Sequence, residues 1–211
     1  MGEPARWAGD IERRGTSQEH TMNSTMLPDD FYEKIKPRLH RRIGRELRVA
    51  RRVLDIGCGS CDLVQYLART YHQDVTGVDM SSKGFPKRSR SSTGGRVHCI
   101  NKDATRLDFT RDETVDAVVT MWALHEMSHP LAILREARRV LRAGGEILIV
   151  DFPRDSLADR LWTEDYLRPG QVAEMLEEAR FSHVTSRLTE RGQILWAKGY
   201  RPEAQMGRVD G

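Results

Sequence analysis

The chain has few of the features that mark secreted, membrane-spanning or nucleic-acid-coating proteins. It has three cysteines in 211 residues, too few for the disulfide framework of a small secreted domain. No apolar run approaches the length of a membrane span, and residues 1–6 lack the hydrophobic core of a signal peptide. The formal net charge of +3 is too small to indicate nucleic-acid binding by itself. These absences favour a soluble cytoplasmic protein in a reducing compartment.

The length fits one domain, expected over residues 28–202, between two polar extensions. Residues 1–27 are expected to form a flexible arm, with a lid that orders on ligand binding as the less favoured alternative, and residues 203–211 a flexible tail. From Pro28 to Ala50, apolar side chains recur every four residues, which predicts a helix that Pro37 kinks or splits. Its arginine-rich face is interpreted as a solvated surface rather than an anion-binding one.

Downstream, strand and helix patterns alternate. Strands are predicted at 53–56, 74–79, 97–100, 115–120 and 146–152, and helices at 63–71, 130–142 and 171–179. Residues 81–95 are rich in Gly, Pro and Ser, so we expect a short, ragged helix or a loop there. Two final strands, 184–188 and 193–197, are separated only by a turn and should pair antiparallel. The order predicts an α/β fold, a doubly wound, mostly parallel seven-stranded sheet with an antiparallel C-terminal hairpin.

The most informative stretch is Arg52–Leu63, a buried strand followed by a glycine turn and the start of a helix. Gly57 and Gly59 allow a ligand to approach the backbone closely, and the helix start points free N–H groups at it. Asp79 follows Gly59 by about 20 residues, the distance at which an acid accepts hydrogen bonds from a ribose diol. The pattern therefore predicts a nucleoside ligand.

Three evenly spaced acids, Asp55, Asp79 and Asp103, follow successive strands and should meet at one edge of the sheet. Nicotinamide dinucleotides and S-adenosylmethionine both fit such an edge. Asp62 stands where the dinucleotide pattern requires glycine, and Asp55 would repel a pyrophosphate but can hold a cationic amino group. The closing hairpin is also foreign to dinucleotide-binding half-sheets. These features favour S-adenosylmethionine.

The motifs resemble those of class I S-adenosylmethionine-dependent methyltransferases, and within them the group with the methyltransferase domain of ubiquinone/menaquinone-biosynthesis type. The matching segments are 53–60, 78–81, 102–104, 116–127 and 140–148. The resemblance implies that the methionine moiety is lined by Asp55, Gly57, Cys58 and Gly59, and that the ribose hydroxyls are held by Asp79. It also implies that the adenine is surrounded by Met80, Asp103 and Ala104. The segment under the sulfonium would be Thr120, Met121 and Trp122. The chain departs from this family at Cys61, where glycine is usual, and in 83–95, where the family has a regular helix.

His125 follows the fourth strand and is the candidate general base or substrate contact, with capping of the next helix as the alternative. Glu126, His129 and Asp151 are weaker candidates. Three aromatic residues could form a wall near the methyl group, although core packing is the favoured interpretation for the last two: Trp122, Trp162 and Tyr166. Cys58 and Cys61 form a C-x-x-C pair for which a redox or zinc role is not favoured, and no metal is expected.

The leading hypothesis is methyl transfer from S-adenosylmethionine to a small-molecule acceptor, which the sequence does not identify. Methylation of RNA or a protein is an alternative, motivated by the basic residues of 38–52 and 83–90, but Thr120–Ala123 replaces the Asn/Asp-Pro-Pro-Tyr signature. A nucleoside-binding module without catalysis is a third hypothesis. A dinucleotide oxidoreductase ranks last. The oligomeric state is not predicted.

Overall fold

The computed structural model describes residues 28, 30–87, 95–162 and 164–203. The predicted arm and almost all of the predicted tail lie outside these residues. In chain order the elements are α1 (Phe31–Glu46), β1 (Arg52–Ile56), α2 (Asp62–Tyr71), β2 (Asp74–Asp79), β3 (Val97–Asn101), β4 (Val115–Met121), a 3₁₀ turn (Leu124–Glu126), α3 (Pro130–Val140), β5 (Leu141–Asp151), α4 (Leu157–Trp162), α5 (Pro169–Glu178), β6 (Ser182–Thr189) and β7 (Ile194–Tyr200).

The strands form one 7-stranded sheet in the order β3-β2-β1-β4-β5-β7-β6. The first five strands in that order, β3 to β5, pair in parallel, while β7 runs antiparallel to both β5 and β6. The predicted fold class and the terminal hairpin are therefore confirmed. The strand order reverses between β1 and β4, and ligands bind above the carboxyl ends of the strands at such a point.

Apolar side chains cover both faces of the sheet, as parallel strands require. One layer packs α1 and α2 against the sheet through residues such as Leu39, Ile43 and Leu67. The other packs α3 and α5 against the opposite face through residues such as Leu134 and Leu176. The two layers hold the strand ends in a fixed arrangement, and the site is built on those ends.

Two local features differ from expectation, and a third agrees with one of the two predicted alternatives. Helix α1 continues through Pro37 without a split, because Ile35, Leu39 and Ile43 are packed on both sides of it. Helix α3 ends at Val140 and β5 begins at Leu141, so the strand starts several residues before its predicted position at 146. Within the predicted segment 81–95, residues 81–87 are not helical, and residues 88–94 lie outside the described part of the chain.

Helix α4 was not predicted, and its first amides are bound by side chains from distant parts of the sequence. The Leu157 N–H donates to Gln193 Oε1 at 2.7 Å, and the Ala158 N–H donates to the Tyr32 hydroxyl at 2.9 Å. That hydroxyl donates in turn to Gln193 Oε1 at 3.3 Å. The helix therefore depends on α1 and on the turn before β7. Among the described helices, none is both long and apolar enough to cross a membrane.

Candidate functional site

The turn after β1 has the backbone geometry that the glycines predict. Gly57 and Gly59 have φ angles of +73° and +49°, in the left-handed region. The Gly57 and Cys58 N–H groups both donate to the carbonyl of Val78, at 2.8 and 3.2 Å, which binds the turn to the end of β2. A Cβ added at Gly57 would lie 2.4 Å from the Cβ of Ala123. Only glycine fits this position, because the turn passes directly against the loop after β4.

The carboxylate of Asp79 connects this turn to the following loop. Its Oδ2 accepts a hydrogen bond from the Gly59 N–H at 2.8 Å, and its Oδ1 accepts one from the Ser81 N–H at 2.8 Å. Asp103 Oδ1 accepts from the Thr105 N–H at 2.8 Å, and this backbone hydrogen bond lowers the pKa of Asp103. Backbone donors thus orient both acids at the rim of the sheet.

Asp55 has a different environment from the other two acids. It is 2% exposed, and within the described residues its Oδ1 has no hydrogen-bond partner. Burial, and then the charge of Asp79, raise the pKa of Asp55 to about 8. A buried carboxyl oxygen without a partner is costly, so this atom is suited to a donor supplied by a ligand. The amino group of a bound nucleoside-linked amino acid has the required chemistry.

The predicted cofactor residues surround a cavity of about 590 Å³. Its walls include all of them except Thr120: Asp55, Gly57, Cys58, Gly59, Asp79, Met80, Asp103, Ala104, Met121 and Trp122. Thr120 is buried in β4 beside the cavity, not in its wall, because successive strand residues face opposite sides of the sheet. Met80 is 78% exposed at the rim of the cavity. The roles assigned to these residues remain predictions.

Two cavity residues of α1 were missed by the sequence analysis. Lys36 and His40 lie one helical turn apart and both line the cavity. Lys36 Nζ contacts Asp62 Oδ2 at 3.0 Å, at the start of α2. Burial, and then the charge of Lys36, lower the pKa of His40 to about 4. Their i, i+4 spacing on the polar edge of α1 was the available signal, but the sequence does not show that this edge faces the glycine turn.

His125 lies beside the cavity rather than in its wall, and its side chain is 3% exposed. Nδ1 lies 2.7 Å from Asp151 Oδ1, and Nε2 lies 3.1 Å from Glu164 Oε2 and 3.8 Å from Glu126 Oε1. Burial favours the neutral ring, but the hydrogen bond to Asp151 and the three carboxylates outweigh it, so the pKa of His125 is raised. The histidine therefore links the loop after β4 to β5 and to the segment after α4.

Glu126 is the member of this group that lines the cavity. Its pKa is raised by burial; the charge of His125 opposes this shift, and that of Glu164 adds to it. The ligand atoms of His125, Glu126 and Glu164 lie within 4.8 Å of one another, close enough to hold a cation. The weaker candidate His129 also lines the cavity, whereas Asp151 is buried behind His125.

An aromatic cluster closes this side of the site. Trp122 stacks on Phe152 with ring centroids 5.0 Å apart, and Tyr32 contacts Phe152 edge-on at 4.6 Å. Tyr166 is buried as core packing requires, while Trp162 remains 47% exposed. Trp122 has a φ angle of +59°, and its Nε1 has no partner in the described part of the chain. The cluster gives this region an apolar surface beside the carboxylates.

The cysteines are arranged differently from expectation. Cys61 and Cys99 form a disulfide bond, although the sequence suggested unpaired thiols in a reducing environment. The Cys58 Sγ lies 3.5 Å from the Cys61 Sγ and remains a free thiol. Cys61 precedes α2 with a φ angle of +62°, a left-handed conformation that favours glycine, the residue that the family resemblance implied here. The pairing was missed because it depends on the packing of α2 against β3.

Comparison with known proteins agrees with this geometry. Residues 54–149 match the family model described as methyltransferase domain. The chain is 34% identical over 117 residues to phthiotriol/phenolphthiotriol dimycocerosates methyltransferase 1 of Mycobacterium ulcerans, covering 54% of this chain and 42% of that protein. It is 29% identical over 118 residues to the ubiquinone/menaquinone biosynthesis C-methyltransferase UbiE of a Ruegeria species, covering 52% and 47%.

The chain therefore spans less than half the length of either curated relative. Among solved structures, a SAM-dependent methyltransferase from Archaeoglobus fulgidus superposes with a TM-score of 0.64 at 18% identity, covering 80% of this chain and 93% of that one. At that identity the likeness establishes the fold only. The family model and the relatives agree, and residues 54–149 are a methyltransferase domain with the fold of S-adenosylmethionine-dependent methyltransferases and with relatives of the ubiquinone/menaquinone-biosynthesis group.

Proposed function

We propose that the protein binds S-adenosylmethionine in the cavity above β1, β2 and β3 and transfers its methyl group to a small-molecule acceptor. The observation that carries the proposal is the set of three acids at the strand ends, with the unpartnered Asp55 Oδ1 beside the glycine turn. Asp55 would accept from the amino group of the methionine moiety, Asp79 from the ribose hydroxyls and Asp103 from the adenine amine. When bound, the cofactor supplies a methyl group already activated by its sulfonium.

The residues beyond the turn would form the acceptor side. Trp122 and Glu126 line the cavity there, and the aromatic cluster continues behind them. Since the donor is activated, the chain mainly has to align the acceptor and exclude water. Where the acceptor must lose a proton, the carboxylate of Glu126 would receive it, with the His125 ring, whose Nε2 is 3.8 Å from Oε1, positioning that carboxylate. In this proposal His125 acts through Glu126, because its own ring does not reach the cavity.

The small-molecule acceptor is supported by the names of the relatives, which include a fatty-acid O-methyltransferase that is 30% identical over 141 residues. The RNA or protein alternative is weakened by contacts of the basic face of α1. Arg38 and Arg42 both pair with Glu190, at 3.4 and 3.8 Å, and the Arg42 guanidinium stacks 3.9 Å from the ring centre of Trp196. Part of this face therefore serves the contact between α1 and the hairpin.

Calorimetric titration with S-adenosylhomocysteine, the product, tests the cofactor assignment without knowledge of the acceptor. We expect Asp79→Ala to weaken binding about 100-fold, because two ribose hydrogen bonds and the support of the Gly59 amide are lost together. Asp74→Asn, at the other end of β2, is the matched control and should bind like the wild type. Absence of binding by the wild type, or unchanged binding by Asp79→Ala, contradicts the proposal.

Turnover is then measured with radiolabelled S-adenosylmethionine and a panel of hydroxylated lipids, quinols, phenols and RNA. Transfer to a small molecule is expected. Transfer only to RNA, with affinity falling steeply as salt rises, would replace the small-molecule proposal by the nucleic-acid alternative. Tight product binding with no turnover on any acceptor would favour a nucleoside-binding module.

A further inference from the structure

The disulfide of this protein joins two sides of the proposed cofactor site. Cys61 is the residue before α2, at the end of the glycine turn, and Cys99 lies in the middle of β3. Four residues beyond Cys99 is Asp103, and the N–H of Lys102 donates to the Asp79 carbonyl at 3.0 Å. The Asn101 amide donates to the same carbonyl at 3.0 Å. The bond therefore ties the turn that would hold the methionine moiety to the strand that presents the adenine-binding acid.

The two bonded cysteines differ in their exposure. Cys61 is completely buried under α2. Cys99 is partly exposed, because β3 lies at the edge of the sheet and, among the described strands, has β2 as its only neighbour. An external thiol approaching the bond would therefore meet Cys99 before Cys61. Neither sulfur lines the cavity, so exchange at this bond would not require an empty cofactor site.

The third sulfur is close but poorly suited to compete. Cys58 Sγ lies 3.5 Å from Cys61 Sγ. Burial, and then the negative charges of Asp55 and Asp79, raise the pKa of the Cys58 thiol, so it stays protonated. Since only a thiolate attacks a disulfide, the bond between Cys61 and Cys99 is protected from rearrangement to Cys58. Because Cys58 is a free thiol whether or not Cys61 and Cys99 are bonded, it adds a constant count of one when thiols are labelled.

We propose that Cys61 and Cys99 form a thiol–disulfide exchange site that sets the affinity for the cofactor, with an external dithiol as its reaction partner. One thiolate of the dithiol attacks Cys99 Sγ, the sulfur–sulfur bond breaks, and its electron pair leaves on Cys61 Sγ, which takes up a proton. The second thiolate of the dithiol closes a cyclic disulfide and releases Cys99 as a thiol. The dithiol is oxidised and the two cysteines are reduced.

The oxidised protein has the tighter cofactor site. With the bond intact, the left-handed conformation at Cys61 and the position of β3 are held before any ligand arrives, so less order has to be gained on binding. Reduction frees the turn to move relative to β3. The residue at 61 then keeps a backbone conformation that favours glycine, without the covalent bond that stabilises it. This affinity effect depends on the proposed function, whereas the thiol chemistry does not.

The thiol chemistry is tested first, on the full chain equilibrated with reduced or oxidised dithiothreitol. After denaturation, alkylation with N-ethylmaleimide and intact mass measurement, we expect one label on the oxidised protein and three on the reduced protein. Cys58→Ser should take no label when oxidised. Three labels on the wild type under both conditions, or an oxidised Cys58→Ser variant that still takes two labels, would overturn the exchange site.

The affinity effect is tested by titrating both forms with S-adenosylhomocysteine. We expect the dissociation constant of the reduced wild type to be about fivefold higher than that of the oxidised protein. Cys99→Ser, which does not line the cavity, should match the reduced wild type in either reagent, and Cys61→Gly provides a second variant without the bond. Cys58→Ser should keep the response to reduction, whatever its own affinity.

Equal affinity in both redox forms of the wild type, or tighter binding by the reduced form, overturns this proposal while leaving the proposed function intact. A response to reduction that persists in Cys99→Ser also overturns it, because the bond is then not the cause. If neither form binds the product although the label counts are as expected, the proposed function fails, and the control of affinity fails with it.

Discussion

The proposed cofactor side and the proposed acceptor side of the cavity are built in different ways. On the cofactor side, backbone N–H groups bind carboxylates that lie close in the sequence, as Ser81 binds Asp79 and Thr105 binds Asp103. On the acceptor side, side chains from distant segments bind one another, as His125 binds Asp151 across 26 residues and Tyr32 binds Gln193 across 161. The first kind of site is a local property of strand ends. The second exists only once the whole sheet has assembled.

The largest effect on stability and on binding is expected at Gly57, where the glycine turn touches Ala123 of the loop after β4. Gly57→Ala would place a methyl group 2.4 Å from the Cβ of Ala123, at a φ angle of +73°. Overpacking and left-handed strain together should lower the free energy of unfolding by about 3 kcal/mol and abolish binding of S-adenosylhomocysteine. Urea unfolding and calorimetry measure both. Gly170→Ala is the control, since a Cβ there meets nothing within 4 Å; an equal loss in both variants would show that the contact with Ala123 is not the cause.

A change on the acceptor side should affect stability but not cofactor affinity. His125→Ala leaves the Asp151 carboxylate buried with one partner fewer, which should lower the free energy of unfolding by about 2 kcal/mol. Binding of S-adenosylhomocysteine should stay within twofold of the wild type. His98→Ala, at an exposed position of β3, should change neither quantity. Loss of cofactor affinity in His125→Ala would mean that the two sides are not separable.

The two histidines of opposite pKa shift should give opposite dependences of stability on pH. The pKa of His125 is raised, so the folded state binds more protons than the unfolded state at pH values between the unfolded-state pKa and the folded-state pKa. The stability that His125 contributes is complete below its unfolded-state pKa and is lost as pH rises through its folded-state pKa. The pKa of His40 is lowered to about 4, so its contribution is present above the unfolded value and is lost as pH falls toward 4.

Unfolding by urea from pH 4.5 to 9 separates these contributions. The difference in stability between wild type and His125→Gln should shrink as pH rises above neutrality. Relative to His40→Gln, the wild type should lose stability as pH falls below about 6.5, the ordinary histidine value. The same direction of change for both histidines would contradict the assigned environments.

The smallest effect is expected at the rim of the cofactor side. Met80→Ala should weaken binding of S-adenosylhomocysteine about threefold, because the side chain would lose apolar contact with the adenine, and it should leave the free energy of unfolding unchanged. Val49→Ala is matched to it, since Val49 is 77% and Met80 is 78% exposed, but Val49 does not line the cavity. An effect on stability in Met80→Ala would indicate a packing role instead.

The same contrast explains how much could be predicted from the sequence. The parallel strands, the terminal hairpin and the rim acids were predictable because apolar runs, glycine turns and strand-end carboxylates are local patterns. Helix α4, the bond between Cys61 and Cys99 and the partners of His125 were not, because each needs a contact across the fold. Lys36 and His40 fall between these cases, since their spacing was visible but the direction of their helix face was not.

The contacts of helix α4 bear on the order in which parts of the protein fold. A six-residue helix is too short to persist alone in water, and its first N–H groups are bound by Gln193 and Tyr32 instead of a local cap. It can therefore form only after α1 and the turn before β7 have docked on the sheet. The acids Asp55, Asp79 and Asp103 stand on or just after β1, β2 and β3 and not on α4, so we expect their strand ends to be in place before α4 and the Trp162 side chain at its end.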